Sequence, residues 1–101
     1  MPFFVIISID RPGRLENRKK TRSEHLEYLN TINTKIIFAG PFITENEIPC
    51  GTMLMIVAND LNEAEKIAAN DPYIKAGVFE STTVRPWKYV LGNGLNEMRL
   101  E

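Results

Sequence analysis

The stretch "FFVIISIDRPG", residues 3–13, decides how the rest of the chain is read. Its first seven residues are aromatic, β-branched or small, and it breaks at "DRPG", a strong turn signal, so residues 3–9 read as a first strand. It is too short to cross a bilayer. It also lacks the basic lead-in and small-residue cleavage site of a secretory leader, and is therefore expected to be part of the fold.

Working outward, residues 14–31 contain neither Gly nor Pro and carry apolar residues at helical spacing, which predicts the first helix. "TKIIFAGPF" (34–42) predicts a second strand that Gly40-Pro41 closes. The polar segment "ITENEIPCG" (43–51) reads as a loop leading to a third strand, "TMLMIVA" (52–58). Asp60 with Glu63 resembles a capping box ahead of a second helix. Asp71-Pro72 opens a short further turn that Gly77 can end. "VFESTTVRPWKYVL" (78–91) predicts the last strand, bent or at a sheet edge because of Pro86. Residues 1–91 thus form one domain, and "GNGLNEMRLE" (92–101) is expected to be a mobile tail.

Strand, helix, strand, strand, helix, strand is the ferredoxin-like βαββαβ order of an α+β fold, with an antiparallel sheet and both helices on one face. The first three strands are apolar in both alternating phases, whereas two helices cover only one face. The other face is expected to pack on a second copy, giving a homodimer joined sheet to sheet.

Composition narrows the function classes. Of 101 residues, 44% are apolar and 25% charged, as in an ordinary soluble domain. A formal net charge of -1 supplies no basic field for nucleic acid or for an anionic membrane. The single cysteine, Cys50, has no internal disulfide partner and no base nearby in sequence, which suits a reduced, cytoplasmic protein and gives Cys50 little claim to a nucleophilic role. One histidine is too few for most metal sites, and no Gly-rich phosphate loop is present, so neither metal nor cofactor is expected.

The candidate site lies on the first helix. At about 100° per residue, Leu15, Arg18, Arg22, His25, Leu26, Leu29 and Ile32 fall within an arc of roughly 120°. Arg18, Arg22 and His25 therefore occupy the amino-terminal half of an otherwise apolar stripe. A lone histidine on such a face is ordinarily a satisfied core residue, and arginines at a core edge often lay their stems on apolar surface. Three polar residues in register ask for more, because burying guanidinium groups is costly unless an anion meets them. Asp71 and Asp10 are the internal candidates. Asp71 reads equally well as a helix cap that uses one carboxylate oxygen, leaving the other to hold an imidazole and make it a better base. Gly40 and Pro41 read mainly as a strand end that also admits a ligand close to the backbone. Tyr73 suits either packing or ligand contact.

"RLENRKKTRSEHLEYL", "FAGPF" and "DLNEAEKIAANDPYIKAGVFESTTVRPWKYVL" together resemble the YciI-like (YCII-related) family over residues 3–91. The resemblance implies a dimeric α+β barrel and a pocket whose histidine and aspartate match His25 and Asp71. It also implies kinship with a dehydrochlorinase of chlorinated hydroxyhydroquinones and a fold like that of muconolactone isomerase. The expected activity is a cofactor-independent lyase or isomerase acting on a small anionic or phenolic molecule. His25 and Asp71 would be catalytic, and Arg18, Arg22, Asp10, Gly40, Pro41 and Tyr73 would line the substrate. A non-catalytic metabolite-binding module, or a structural dimer with both arginines paired to Asp10 and Asp71, would use the same residues.

Overall fold

Alternation along the strands decides which way each side chain points. In β1, Phe3–Asp10, the residues Phe4, Ile6 and Ser8 are buried while Phe3, Val5 and Ile7 are only half-buried, so the strand turns one phase to the helices. A computed structural model describes residues 1–94 and places β1 at the centre of a four-stranded antiparallel sheet of order β2-β3-β1-β4. The other strands are β2 (Ile36–Ile43), β3 (Pro49–Val57) and β4 (Phe79–Trp87). Helix α1 (Leu15–Thr31) joins β1 to β2, while α2 (Leu61–Ala69) and the one-turn α3 (Pro72–Lys75) join β3 to β4. This is the ferredoxin-like order with a short extra helix.

The core forms where inward phases meet. Phe4 and Ile6 pack with Leu54 and Ile56 of β3 and with Ala64, Ile67 and Ala68 of α2, and Leu29 and Ile32 close it from the last turns of α1. A smaller cluster of Tyr73, Val78 and Phe79 lies under α3. Between the two clusters the inward row of the sheet turns polar: Ser8 pairs across the strands with Thr52 on one side and Thr82 on the other. The apolar carboxyl half of α1 thus packs on the core, and its polar amino half stands over hydroxyls.

Local chemistry sets the helix ends. The Asp60 carboxylate accepts from the Glu63 N–H at 2.8 Å and caps α2. Glu63 does not return to Asp60. It accepts from the backbone and side-chain N–H groups of Asn59 and from Lys35, so the capping box reaches one residue further out. After α3, Gly77 adopts φ 71°, with the Gly77 N–H donating to Ile74 and the Val78 N–H to Tyr73, a Schellman ending.

Four sequence expectations are corrected. Residues Asn33–Lys35 form a 3₁₀ turn, so β2 starts at Ile36 rather than at 34. Gly40 and Pro41 sit inside β2 instead of closing it. This is tolerated because β2 is an edge strand whose free side needs no N–H donor. Pro49, Cys50 and Gly51 belong to β3, since the ladder with β2 continues to the Ile43–Pro49 pair; Cys50 is a half-buried strand residue and not a loop residue. Finally, β4 ends at Trp87, where its register meets Phe3 and β1 has run out, so residues 88–91 lie beyond the sheet. Pro86 is on an edge strand, as expected. Of the expected tail, residues 95–101 lie outside the described residues.

Removing the α2 cap with Asp60→Ala is expected to lower the unfolding free energy by about 1 kcal/mol, read as a reduced urea midpoint with unchanged slope.

Candidate functional site: a buried His–Asp pair beside a cationic cleft

Arg18 and His25 are seven residues apart on α1, two turns along one face, and both are buried at 6% exposure. Each meets a different carboxylate. Arg18 donates to both oxygens of Asp10, from Nε at 2.8 Å and from an Nη at 2.9 Å, and the same Nη donates to the Thr52 hydroxyl at 2.9 Å. Burial works against the Arg18 charge, but the hydrogen bond and field of Asp10 outweigh it and hold the guanidinium above its ordinary pKa. The arginine's anion is thus internal, and Asp10 is its partner.

His25 pairs with Asp71. The imidazole Nδ1 lies 2.9 Å from Asp71 Oδ1, which also accepts the Tyr73 backbone N–H at 2.9 Å. The cap and the histidine therefore share one oxygen, where sequence reasoning had divided them between two. With Nδ1–H directed at the carboxylate, the neutral ring presents Nε2 as its free acceptor. No side-chain hydrogen bond uses Nε2, and no buried side-chain nitrogen or oxygen among the described residues lacks a partner, so Nε2 is open to the cavity that His25 lines.

That cavity has a volume of about 360 Å³ and lies between α1 and the β2–β3 edge of the sheet. Its lining is mixed: α1 contributes Leu15, Leu26 and Leu29 together with Arg18, Lys19, Arg22 and His25, α3 contributes Tyr73, and the strands contribute Ala39, Gly40, Pro41, Pro49 and Thr52. Arg22 is exposed and makes no ion pair among the described residues, unlike Arg18. Lys19 has only a loose, exposed contact to Glu16 at 3.8 Å. The cavity consequently has uncompensated positive charge near an accepting imidazole nitrogen. Burial raises the Tyr73 hydroxyl pKa against the opposing pull of Arg18 and Arg22, so this group remains a neutral donor at pH 7. Among the described residues no group of three His, Cys, Asp or Glu side chains is placed to hold a metal ion.

Every sequence-predicted site residue except Asp10 lines this cavity or, for Asp71, holds a residue that does. Asp10 stands behind it, anchoring Arg18. Thr52 and Lys19 were missed. Thr52 was detectable: Ser8, Thr52 and Thr82 are hydroxyl residues on the inward phase of strands whose other inward residues are apolar.

The profile of the YCII-related domain matches residues 2–88. This chain belongs to the YCII-related family. An uncharacterised protein of Haemophilus influenzae is 32% identical over 96 residues, covering 87% of this chain and 98% of that one. Protein YciI of Escherichia coli is 30% identical over 95 residues, covering 86% and 97%. Among solved structures, the 5-chloro-2-hydroxyhydroquinone dehydrochlorinase of Burkholderia phenoliruptrix, in complex with 2,5-dihydroxybenzoquinone, is 34% identical with a TM-score of 0.81, covering 87% of this chain and 95% of that one. A NIPSNAP family protein of Agrobacterium tumefaciens, 20% identical with a TM-score of 0.53 over 87% of this chain and 91% of that one, shares the fold.

Asp71→Ala leaves the Tyr73 N–H and the His25 Nδ1–H without their acceptor. The expected cost in urea unfolding is about 2–3 kcal/mol, with Asp71→Asn, which keeps an acceptor oxygen, losing less.

Proposed function

We propose that this YCII-related protein is a cofactor-independent lyase, dehydrochlorinase-like in chemistry, acting on a small enolic or phenolic substrate. The observation that carries this reading is a buried imidazole, oriented by Asp71 through Nδ1, whose Nε2 faces a cavity lined by Arg22, an arginine that makes no ion pair among the described residues. The dehydrochlorinase activity of the Burkholderia phenoliruptrix relative supports the reaction class.

A chlorinated hydroxyarene carries its chlorine on a trigonal ring carbon, so in this mechanism the ring hydroxyl beside that carbon first tautomerises to a ketone, its proton moving to the chlorine-bearing carbon and making it tetrahedral. His25 Nε2 then takes the proton of the enol hydroxyl that remains conjugated to that carbon. The O–H electron pair becomes the new C=O bond, the enol C=C pair shifts by one bond, and a leaving group on the adjoining tetrahedral carbon departs with its bonding pair. The products are an unsaturated carbonyl compound, the leaving anion and a proton that His25 passes to solvent. Asp71 stabilises the imidazolium formed on the way, and Arg22 meets the negative charge that develops on the substrate oxygen. The apolar side chains of the lining exclude water from the ring of the substrate, which strengthens both charge interactions. A lone Cys50 suits a reducing, cytoplasmic setting for this chemistry.

The test is chloride release from 5-chloro-2-hydroxyhydroquinone together with binding of 2,5-dihydroxybenzoquinone. His25→Ala is expected to cut turnover by about 10²–10⁴-fold. Arg22→Ala is expected to weaken binding of the quinone by about tenfold or more. Unchanged turnover in both His25→Ala and Asp71→Asn would sink the mechanism, and saturable binding without product in the wild type would leave a metabolite-binding module in its place.

We further propose that the molecule works as a homodimer joined through the outer face of the sheet. That face presents Phe3, Val5, Ile7 and Met53 at its centre, and Ile9 and Trp87 are 43% and 41% exposed. Sedimentation equilibrium is expected to give twice the chain mass for the wild type and the chain mass for Ile7→Asp; a monomeric wild type would refute the assembly.

A further inference from the structure

We propose that Arg18 is a positioning residue for His25, acting through the ring of Tyr73, and not a ligand for the substrate. The proposal rests on the reading of His25 as the base.

The Tyr73 ring is stacked on the His25 imidazole, with centroids 4.0 Å apart and planes 14° from parallel. The Arg18 guanidinium carbon lies over the same ring, 4.7 Å from its centroid. Seven residues of helix separate the two side chains by about 10.5 Å of rise, enough to admit an aromatic ring between them, and in this proposal Tyr73 fills that slot with the guanidinium and the imidazole on its two faces.

All three layers are anchored from outside the stack. Asp10 grips Arg18 bidentately and Thr52 takes a further N–H, so the guanidinium plane is set by two strands, β1 and β3. Tyr73 is pinned at its N–H by Asp71 and at its carbonyl by the Val78 N–H. His25 is held at Nδ1 by that same Asp71 oxygen. A hydrogen bond at Nδ1 alone leaves the imidazole free to rock about it; the Tyr73 face removes that freedom, and Arg18 stops the tyrosine from backing away. Arg18 has most of its donor capacity committed to Asp10 and Thr52, whereas Arg22 has no carboxylate partner among the described residues. The two arginines thus divide the work into bracing and binding.

The chain has a single histidine, so its imidazole gives one set of NMR resonances to follow. Protons held over an aromatic face resonate upfield of their positions in free imidazole, and the His25 ring protons are expected there in the wild type. Arg18→Lys keeps a cation against Asp10 but loses the planar fork and the flat face; Asp10→Asn keeps the volume and loosens the bidentate grip. In both variants the ring protons are expected to move toward the free-imidazole position, while affinity for 2,5-dihydroxybenzoquinone stays within about twofold of wild type, against the loss of about tenfold or more for Arg22→Ala. Unmoved His25 resonances in both variants would overturn the proposal. So would a loss of affinity in Arg18→Lys matching that of Arg22→Ala, which would make Arg18 a ligand. A wild type that does not bind the quinone counts against the functional reading instead, and the His25 resonances still decide the role of Arg18.

Discussion

One oxygen atom, Oδ1 of Asp71, ties the polypeptide together beside the cavity. It ends the loop after α2 by capping α3, and it holds the only histidine of the chain in one orientation. A carboxylate that served the cap alone could have been Ser, Thr or Asn without much loss. Sharing the oxygen with an imidazole couples the backbone of α3 to a side chain 46 residues earlier on α1. The position of the imidazole is therefore as well determined as the secondary structure around it.

The rest of the fold divides around that constraint. Under the carboxyl half of α1 the sheet is apolar, and Leu29 and Ile32 close the main core. Under its amino half the inward row becomes Ser8, Thr52 and Thr82, and the helix answers with Arg18, Arg22 and His25. Burial of polar groups at that end is bearable because each has its own partner: Asp10 for Arg18, Asp71 for His25. Arg22 is the exception, and it is exposed at the cavity.

Much of this was legible before any coordinates. The order of elements followed from runs of alternating or helical period, and the cluster of Arg18, Arg22 and His25 followed from a helical projection, because both are local properties of sequence. Which carboxylate met which cation was not legible. Asp10 and Asp71 are equivalent to any periodicity argument, and only the sheet order, which sets β1 beside β3 and Thr52, assigns Asp10 to Arg18. The ends of β2 and β3 were misplaced for a related reason. Gly40-Pro41 and Pro49-Cys50-Gly51 carry the composition of turns, yet pairing across the ladder overrode local preference, as an edge position permits a proline that a central strand would reject. Glu63 was seen as a capping partner, but its reach past Asp60 to Asn59 depends on the path of the loop from β3.

The separation of the two halves of α1 bears on how such a protein can diversify. Leu15, Leu26, Pro41 and Pro49 shape the cavity but belong to neither buried cluster. Drift at these positions alters the size and outline of the acceptable guest while leaving the packing that keeps the chain folded untouched. A scaffold of this kind can change the shape of its cavity by small steps without passing through unstable ancestors, keeping the His25–Asp71 pair throughout.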